Sequence, residues 1–138
     1  MDFEQAEKDL DAVIQNLKQA SDKEVCLRRA YDVLTAKYRG YRLKTYTNLS
    51  DLFVRDPRKL WERSGFLHCT KLNQLMKFLL VQSGQFTSED IQIKWTAVWY
   101  VSPHQYLMVD VGNNRFINVD LWGKAYGIFF GDYARGFH

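Results

Sequence analysis

The chain has 138 residues and a mass of 16.3 kDa, enough for one domain with a real core and too few for two. Hydrophobic residues at 46% and charged residues at 25% exclude a disordered or fibrous chain. A net charge of +3 argues against nucleic acid as a partner, and two cysteines cannot build a disulfide framework, which points to a reducing compartment.

The first segment, Met1-Asp-Phe-Glu-Gln-Ala-Glu-Lys-Asp-Leu, is acidic and amphipathic, without the basic start and apolar run of a signal peptide. No stretch approaches the ~18 apolar residues of a membrane span, so the expected location is the cytoplasm, with no membrane contact. Leu10, Val13, Ile14 and Leu17 recur at helical spacing and predict a helix from about Asp2 to Ala20. Ser21 and Glu24 form a Ser-x-x-Glu capping box, predicting a second helix through about Tyr38 with Val25, Cys26, Ala30, Val33 and Leu34 as its apolar face. Cys26 lies mid-helix with no acid–base partner close in sequence, so it reads as core.

From Lys37 to Tyr46, basic residues (Lys37, Arg39, Arg42, Lys44) interleave with Tyr38, Tyr41 and Tyr46. Such a pattern could hold a nucleic-acid strand, but the preferred reading is a solvated connector whose tyrosines pack down on the domain. Asn48-Leu-Ser50 then caps a short helix over Asp51 to Val54. Asp56-Pro57 starts another that carries Leu60 and Trp61 towards the core.

The period changes in the second half. Ile91, Ile93, Trp95, Ala97, Trp99 and Val101 alternate with Gln92, Lys94, Thr96, Val98 and Tyr100, which predicts a strand interrupted by Ser102-Pro103. A further strand runs from His104 to Val111, Gly112-Asn-Asn114 turns, and Arg115 to Leu121 returns. Helices first and antiparallel strands last make the expected class α+β, with N-terminal helices packed against a C-terminal sheet.

Between them lies Gly65-Phe-Leu-His-Cys69-Thr-Lys-Leu-Asn-Gln-Leu-Met-Lys-Phe-Leu-Leu-Val-Gln-Ser-Gly84, a helix with a thiol in its first turn. Cys69 shares a face with Leu72, Met76, Leu79 and Leu80, as a core cysteine would. Its position argues the other way. The positive end of the helix dipole and the unpaired backbone N–H groups of a first turn favour a thiolate and can hold an oxyanion.

A nucleophilic thiol needs a base, and the base needs an orienting group. His68 adjoins Cys69, but neighbours on a helix point about 100° apart. His138 ends the chain. His104 opens a strand directly after a proline. If Val111 pairs with Arg115, Tyr106 faces Asp120, and His104 and Asp120 share a face as diagonal neighbours about 7–8 Å apart at Cα. Asp110 shares that face too but lies too far along the same strand. The competing reading of Asp120 is a strand-end residue that caps a turn.

Cysteine at a helix start, then a strand opening with histidine, then the adjacent strand ending in aspartate, resembles the transglutaminase-like branch of the papain-like cysteine enzymes. The likeness runs from about Trp61 to Trp122. Gly65-x-x-x-Cys69 with Leu75, Leu79 and Gly84 resembles the family's Gly-x-Cys helix. His104-Gln-Tyr-Leu-Met-Val-Asp-Val resembles its His-x-Trp strand, and Arg115-Phe-Ile-Asn-Val-Asp120-Leu-Trp122 its Trp-x-x-Val-Asp-Pro ending. Tyr106, Leu121 and Asn73 depart from the pattern, as in a distant member.

The resemblance implies one domain over residues 1–138, with a helical lobe over 1–60 and a core over 61–138 that carries the nucleophile helix and the sheet. It implies Cys69 as nucleophile, His104 as general base and acid, and Asp120 as orienter. The activity implied is acyl transfer on a peptide or protein substrate through a thioester, to water (protease, amidase) or to an amine (transglutaminase), without a cofactor. One oxyanion donor would be the Cys69 N–H, and a second a Trp or Tyr side chain such as Trp61. The alternative is the same fold kept as a peptide-binding module. A zinc site from His68, Cys69 and His104 lacks a fourth ligand and the usual spacings.

Overall fold

The computed structural model describes residues 3–39, 56–61, 65–66, 69–98, 102–126, 128 and 130–133. The tyrosine-rich stretch beyond Arg39, the expected helix over Asp51 to Val54, His68, the strand end at Trp99 to Val101 and His138 lie outside these residues.

Helix α1 spans Phe3–Lys18 and buries Leu10, Ile14 and Leu17 of the expected stripe together with Ala6, while Val13 is only half-buried. Helix α2 spans Lys23–Lys37 and starts differently from the expectation. Asp22, not Ser21, is the N-cap, and its carboxylate accepts from the Val25 N–H at 2.8 Å. A carboxylate caps as a hydroxyl does and also meets the positive pole of the helix. The buried face is Cys26, Leu27, Ala30, Tyr31 and Leu34, rotated slightly from the predicted one, so that Val25 and Val33 are only half-buried.

Helix α3, Pro57–Trp61, forms as expected: Asp56 accepts from the Arg58 N–H at 3.0 Å, proline takes the first helical position, and Leu60 and Trp61 are buried. Two short strands that the sequence did not announce, β1 (Tyr38–Arg39) and β2 (Gly65–Phe66), pair in parallel. The Tyr38 hydroxyl donates to the Leu60 carbonyl at 2.7 Å, tying the end of α2 to α3. Burial pushes the pKa of this phenol far up.

Helix α4, Cys69–Gln82, packs against α2 and the sheet through Leu72, Leu75, Met76, Leu79 and Leu80. Each fully buried leucine of this kind contributes about 1.5–3 kcal/mol. The helix ends where the Ser83 N–H bonds the Leu79 carbonyl at 3.0 Å and Gly84 turns the chain at φ +79°, a conformation in which a side chain would be strained.

Three antiparallel strands follow in the order β3 (Ile91–Val98), β4 (Ser102–Gly112) and β5 (Arg115–Val119). The class is α+β, as expected. Strand β4 begins at Ser102 rather than His104, with Pro103 opposite Ala97. Its ladder with β5 starts only at Leu107, so Pro103 has a strand on one side alone and its missing N–H is tolerated. Among the described residues, no helix is long and apolar enough to cross a membrane.

The β4–β5 turn differs from the expectation. Gly112, not Val111, pairs with Arg115, across Asn113 (φ 56°) and Asn114 (φ 59°). Positive φ at both central residues is what a two-residue type I′ hairpin requires. A bulge between Asp110 and Gly112 absorbs the odd residue. Beyond it Val109 pairs with Ile117, Met108 with Asn118 and Leu107 with Val119, the register that puts Tyr106 opposite Asp120.

Candidate active site

That register brings His104 to Asp120. The imidazole Nε2 lies 2.6 Å from Asp120 Oδ2, with both side chains buried. The other carboxylate oxygen, Oδ1, accepts from the Gly123 N–H at 2.8 Å, at the start of a 3₁₀ turn over Trp122–Tyr126. Asp120 is therefore both imidazole partner and turn cap, one oxygen for each. Asp110 lies at the far end of the hairpin, where it accepts from the Gly112 N–H at 2.8 Å.

Two neighbours shape this pair. The Trp122 indole is buried, with its ring centroid 5.1 Å from that of His104 and tilted by 52°. It covers the imidazole with apolar surface, and a dry setting strengthens the polar bond it shields. Gly123 leaves the carboxylate its room: a Cβ there would lie 2.9 Å from Asp120 Cγ and Oδ2 and 2.8 Å from Ile128 Cγ1.

Cys69 is the first residue of α4 and only half-buried, while the leucines on its face are inside. Cys69 acts on the His104 imidazole as one of the groups that raise its pKa. With Nε2 engaged by Asp120, Nδ1 is the nitrogen that a thiol partner would use. Burial alone would lower the His104 pKa, but the hydrogen bonds to Asp120 and Cys69, with the charges of both, hold it up at about 9. Of the three residues singled out in the sequence, His104 and Asp120 are in direct contact, and Cys69 acts on the same imidazole.

Cys26 is in a different setting. It is fully buried in α2, its Sγ 3.5 Å from Ser83 Oγ. Burial pushes its thiol pKa up, outweighing the opposite pull of Ser83 and Arg29. Close to Cys69 in the chain, Trp61 Nε1 and Thr70 Oγ1 are buried without a hydrogen-bond partner among the described residues.

The sequence reading missed two features. One is Gly123. The other is a buried contact between Asn73, one turn beyond Cys69, and Gln105, next to His104. An amide amid the leucines of α4 is the signal that could have drawn attention to it. Among the described residues, no group of three or more His, Cys, Asp or Glu side chains is placed to hold a metal ion.

No known family's sequence model matches the chain, and neither does any curated protein. The fold is similar to that of Legionella pneumophila LapG, with a TM-score of 0.65 and 17% sequence identity over 88% of this chain. The match covers 65% of the LapG chain, so this chain spans about two thirds of its neighbour's length. The likeness is one of fold: helices, then an antiparallel sheet.

Proposed function

We propose that the protein is a cysteine-dependent acyl-transfer enzyme acting on amide bonds of peptides or proteins, with Cys69, His104 and Asp120 as its triad. The observation that carries this is the position of His104, buried with Nε2 2.6 Å from Asp120 Oδ2 and with Cys69 among the groups that raise its pKa. A raised imidazole pKa suits the pair, because the protonated ring next to sulfur is the acid the reaction needs first. The fold shared with LapG, a cysteine protease of transglutaminase-like fold, favours a protein or peptide substrate.

In this mechanism the Cys69 sulfur attacks the amide carbon and the carbonyl oxygen becomes an oxyanion. Backbone N–H groups at the start of α4 face that charge. The Trp61 indole N–H, buried and without a partner among the described residues, is the donor we assign as second. Collapse breaks the C–N bond as His104 gives its proton to the leaving amine, leaving a thioester. Water or a second amine then attacks, His104 takes the incoming proton, and the free thiol returns. Asp120 stabilises the charged ring throughout.

The test is a broad peptide library incubated with wild type and Cys69→Ala, with and without a primary amine, and read by mass spectrometry. Cleaved or amine-tagged peptides from the wild type alone are expected. Peptides held by both forms and altered by neither would instead identify a binding module.

A further inference from the structure

Asn73 sits among Leu72, Leu75 and Met76 on the buried face of α4, only 3% exposed. An amide in such a stripe is costly unless its hydrogens are used. Both are. Asn73 Nδ2 donates to the Gln105 carbonyl at 3.1 Å and to Gln105 Oε1 at 3.0 Å. A backbone carbonyl can only accept, so the NH₂ group rather than Oδ1 must face it, and the orientation of the amide is fixed. Gln105 is itself 7% exposed.

The contact joins the two elements that must meet for chemistry. Its α4 end lies one turn from Cys69, on the same side of the helix. Its β4 end is the residue after His104. No covalent path of short length links helix and strand here, so packing alone would set the distance from sulfur to imidazole. Apolar contact is non-directional and leaves small slides and rotations cheap. Two directed hydrogen bonds do not. A leucine at 73 would fit the stripe at least as well, so what the amide adds is register rather than burial.

We infer that the Asn73–Gln105 pair is a latch that sets the spacing between Cys69 and His104, making Asn73 a positioning residue for the reaction. The inference rests on the triad reading above. A misplacement of about 1 Å at reacting atoms can cost on the order of 10²-fold in rate, so losing the latch disturbs chemistry more than folding.

The experiment follows iodoacetamide alkylation of Cys69 by peptide mapping across neutral pH, with Cys26 as internal reference. It compares wild type, His104→Ala, Asn73→Leu and Gln105→Leu, with a melting curve for each. Removing the imidazole should strip away the part of the rate that persists below neutral pH. Asn73→Leu should remove most of the same part, at least about tenfold, while Cys26 stays protected. Gln105→Leu keeps the bond to the backbone carbonyl and should lose less; it decides the matter if Asn73→Leu does not fold. An Asn73→Leu protein that melts lower but keeps the wild-type pH profile shows a merely structural amide and overturns the latch alone. Identical profiles for wild type and His104→Ala would overturn the triad reading, and the latch with it.

Discussion

A Cβ built on Gly123 falls 2.9 Å from Cγ and Oδ2 of Asp120, inside any normal contact distance. The carboxylate that bonds His104 therefore occupies space that every other residue at 123 would claim. Ile128 Cγ1 stands 2.8 Å from the same point, so the new atom meets a second side chain there.

Gly123→Ala should accordingly push Asp120 off the imidazole while leaving Cys69 and the substrate surface in place. We expect kcat to fall about 10- to 100-fold with KM little changed, and the melting temperature to drop by an amount matching the roughly 1–3 kcal/mol of an overpacked site. The His104 titration, followed by NMR, should move down. Full activity with an unmoved titration would show that the carboxylate does not need that space.

The raised His104 pKa also makes stability depend on pH. The ring titrates at 6.5 in an ordinary setting and at about 9 in the fold. Between these values the folded chain binds the proton and the unfolded chain does not, so stability from this source is complete below pH 6.5 and is lost as pH rises through about 9. Urea midpoints measured across that window should fall for the wild type and flatten for Asp120→Asn, which removes the main cause of the shift. Cys26, pushed up by burial, adds a loss of the same sign further into the alkaline range and is common to both proteins. Wild-type midpoints that hold steady or rise across the window would contradict the His104–Asp120 pairing.

The two cysteines should differ in reactivity. Cys69 opens a helix, is half-buried and acts on the His104 imidazole, whereas Cys26 is fully buried and its thiol is held neutral. Iodoacetamide at mildly acid pH should label Cys69 and spare Cys26 until the protein is unfolded. Equal labelling in the folded state would mean that neither environment is as described.

Much of this site was legible in the sequence because strands alternate strictly. Choosing Asp120 over Asp110 needed only the face of His104 and a register. The register came out right although the turn did not: the bulge at Val111 restores what a two-residue turn at Asn113-Asn114 removes. Sequence cannot separate a bulge plus a tight turn from a longer turn, since both place small polar residues at the same spot. The Asp22 cap was missed for a similar reason, two good cap residues standing side by side. The Asn73–Gln105 contact and the room Gly123 leaves follow no period at all. Each depends on a close approach between elements, which exists only once the chain has packed.

The most discriminating substitution is Asp120→Asn, because the surroundings dictate how the new amide must lie. The Gly123 N–H, 2.8 Å from Oδ1, is a donor and needs an acceptor, so the amide oxygen should stay there. The amide NH₂ then faces His104 Nε2, where Oδ2 stood at 2.6 Å. A nitrogen that receives a hydrogen bond cannot carry the ring proton, so the neutral imidazole must hold it on Nδ1, the nitrogen that would serve Cys69 in the proposed triad. A protonated Nδ1 cannot accept the thiol proton, and the charged ring loses its partner. We expect a loss in kcat on the order of 10³–10⁴ with the fold retained. Cys69→Ala and His104→Ala should cost about as much, and Cys69→Ala combined with Asp120→Asn no more than Cys69→Ala alone, since residues acting as a unit are not additive. A wild type that turns over peptide and an Asp120→Asn protein that matches it would remove Asp120 from the reaction, whatever the standing of the cysteine.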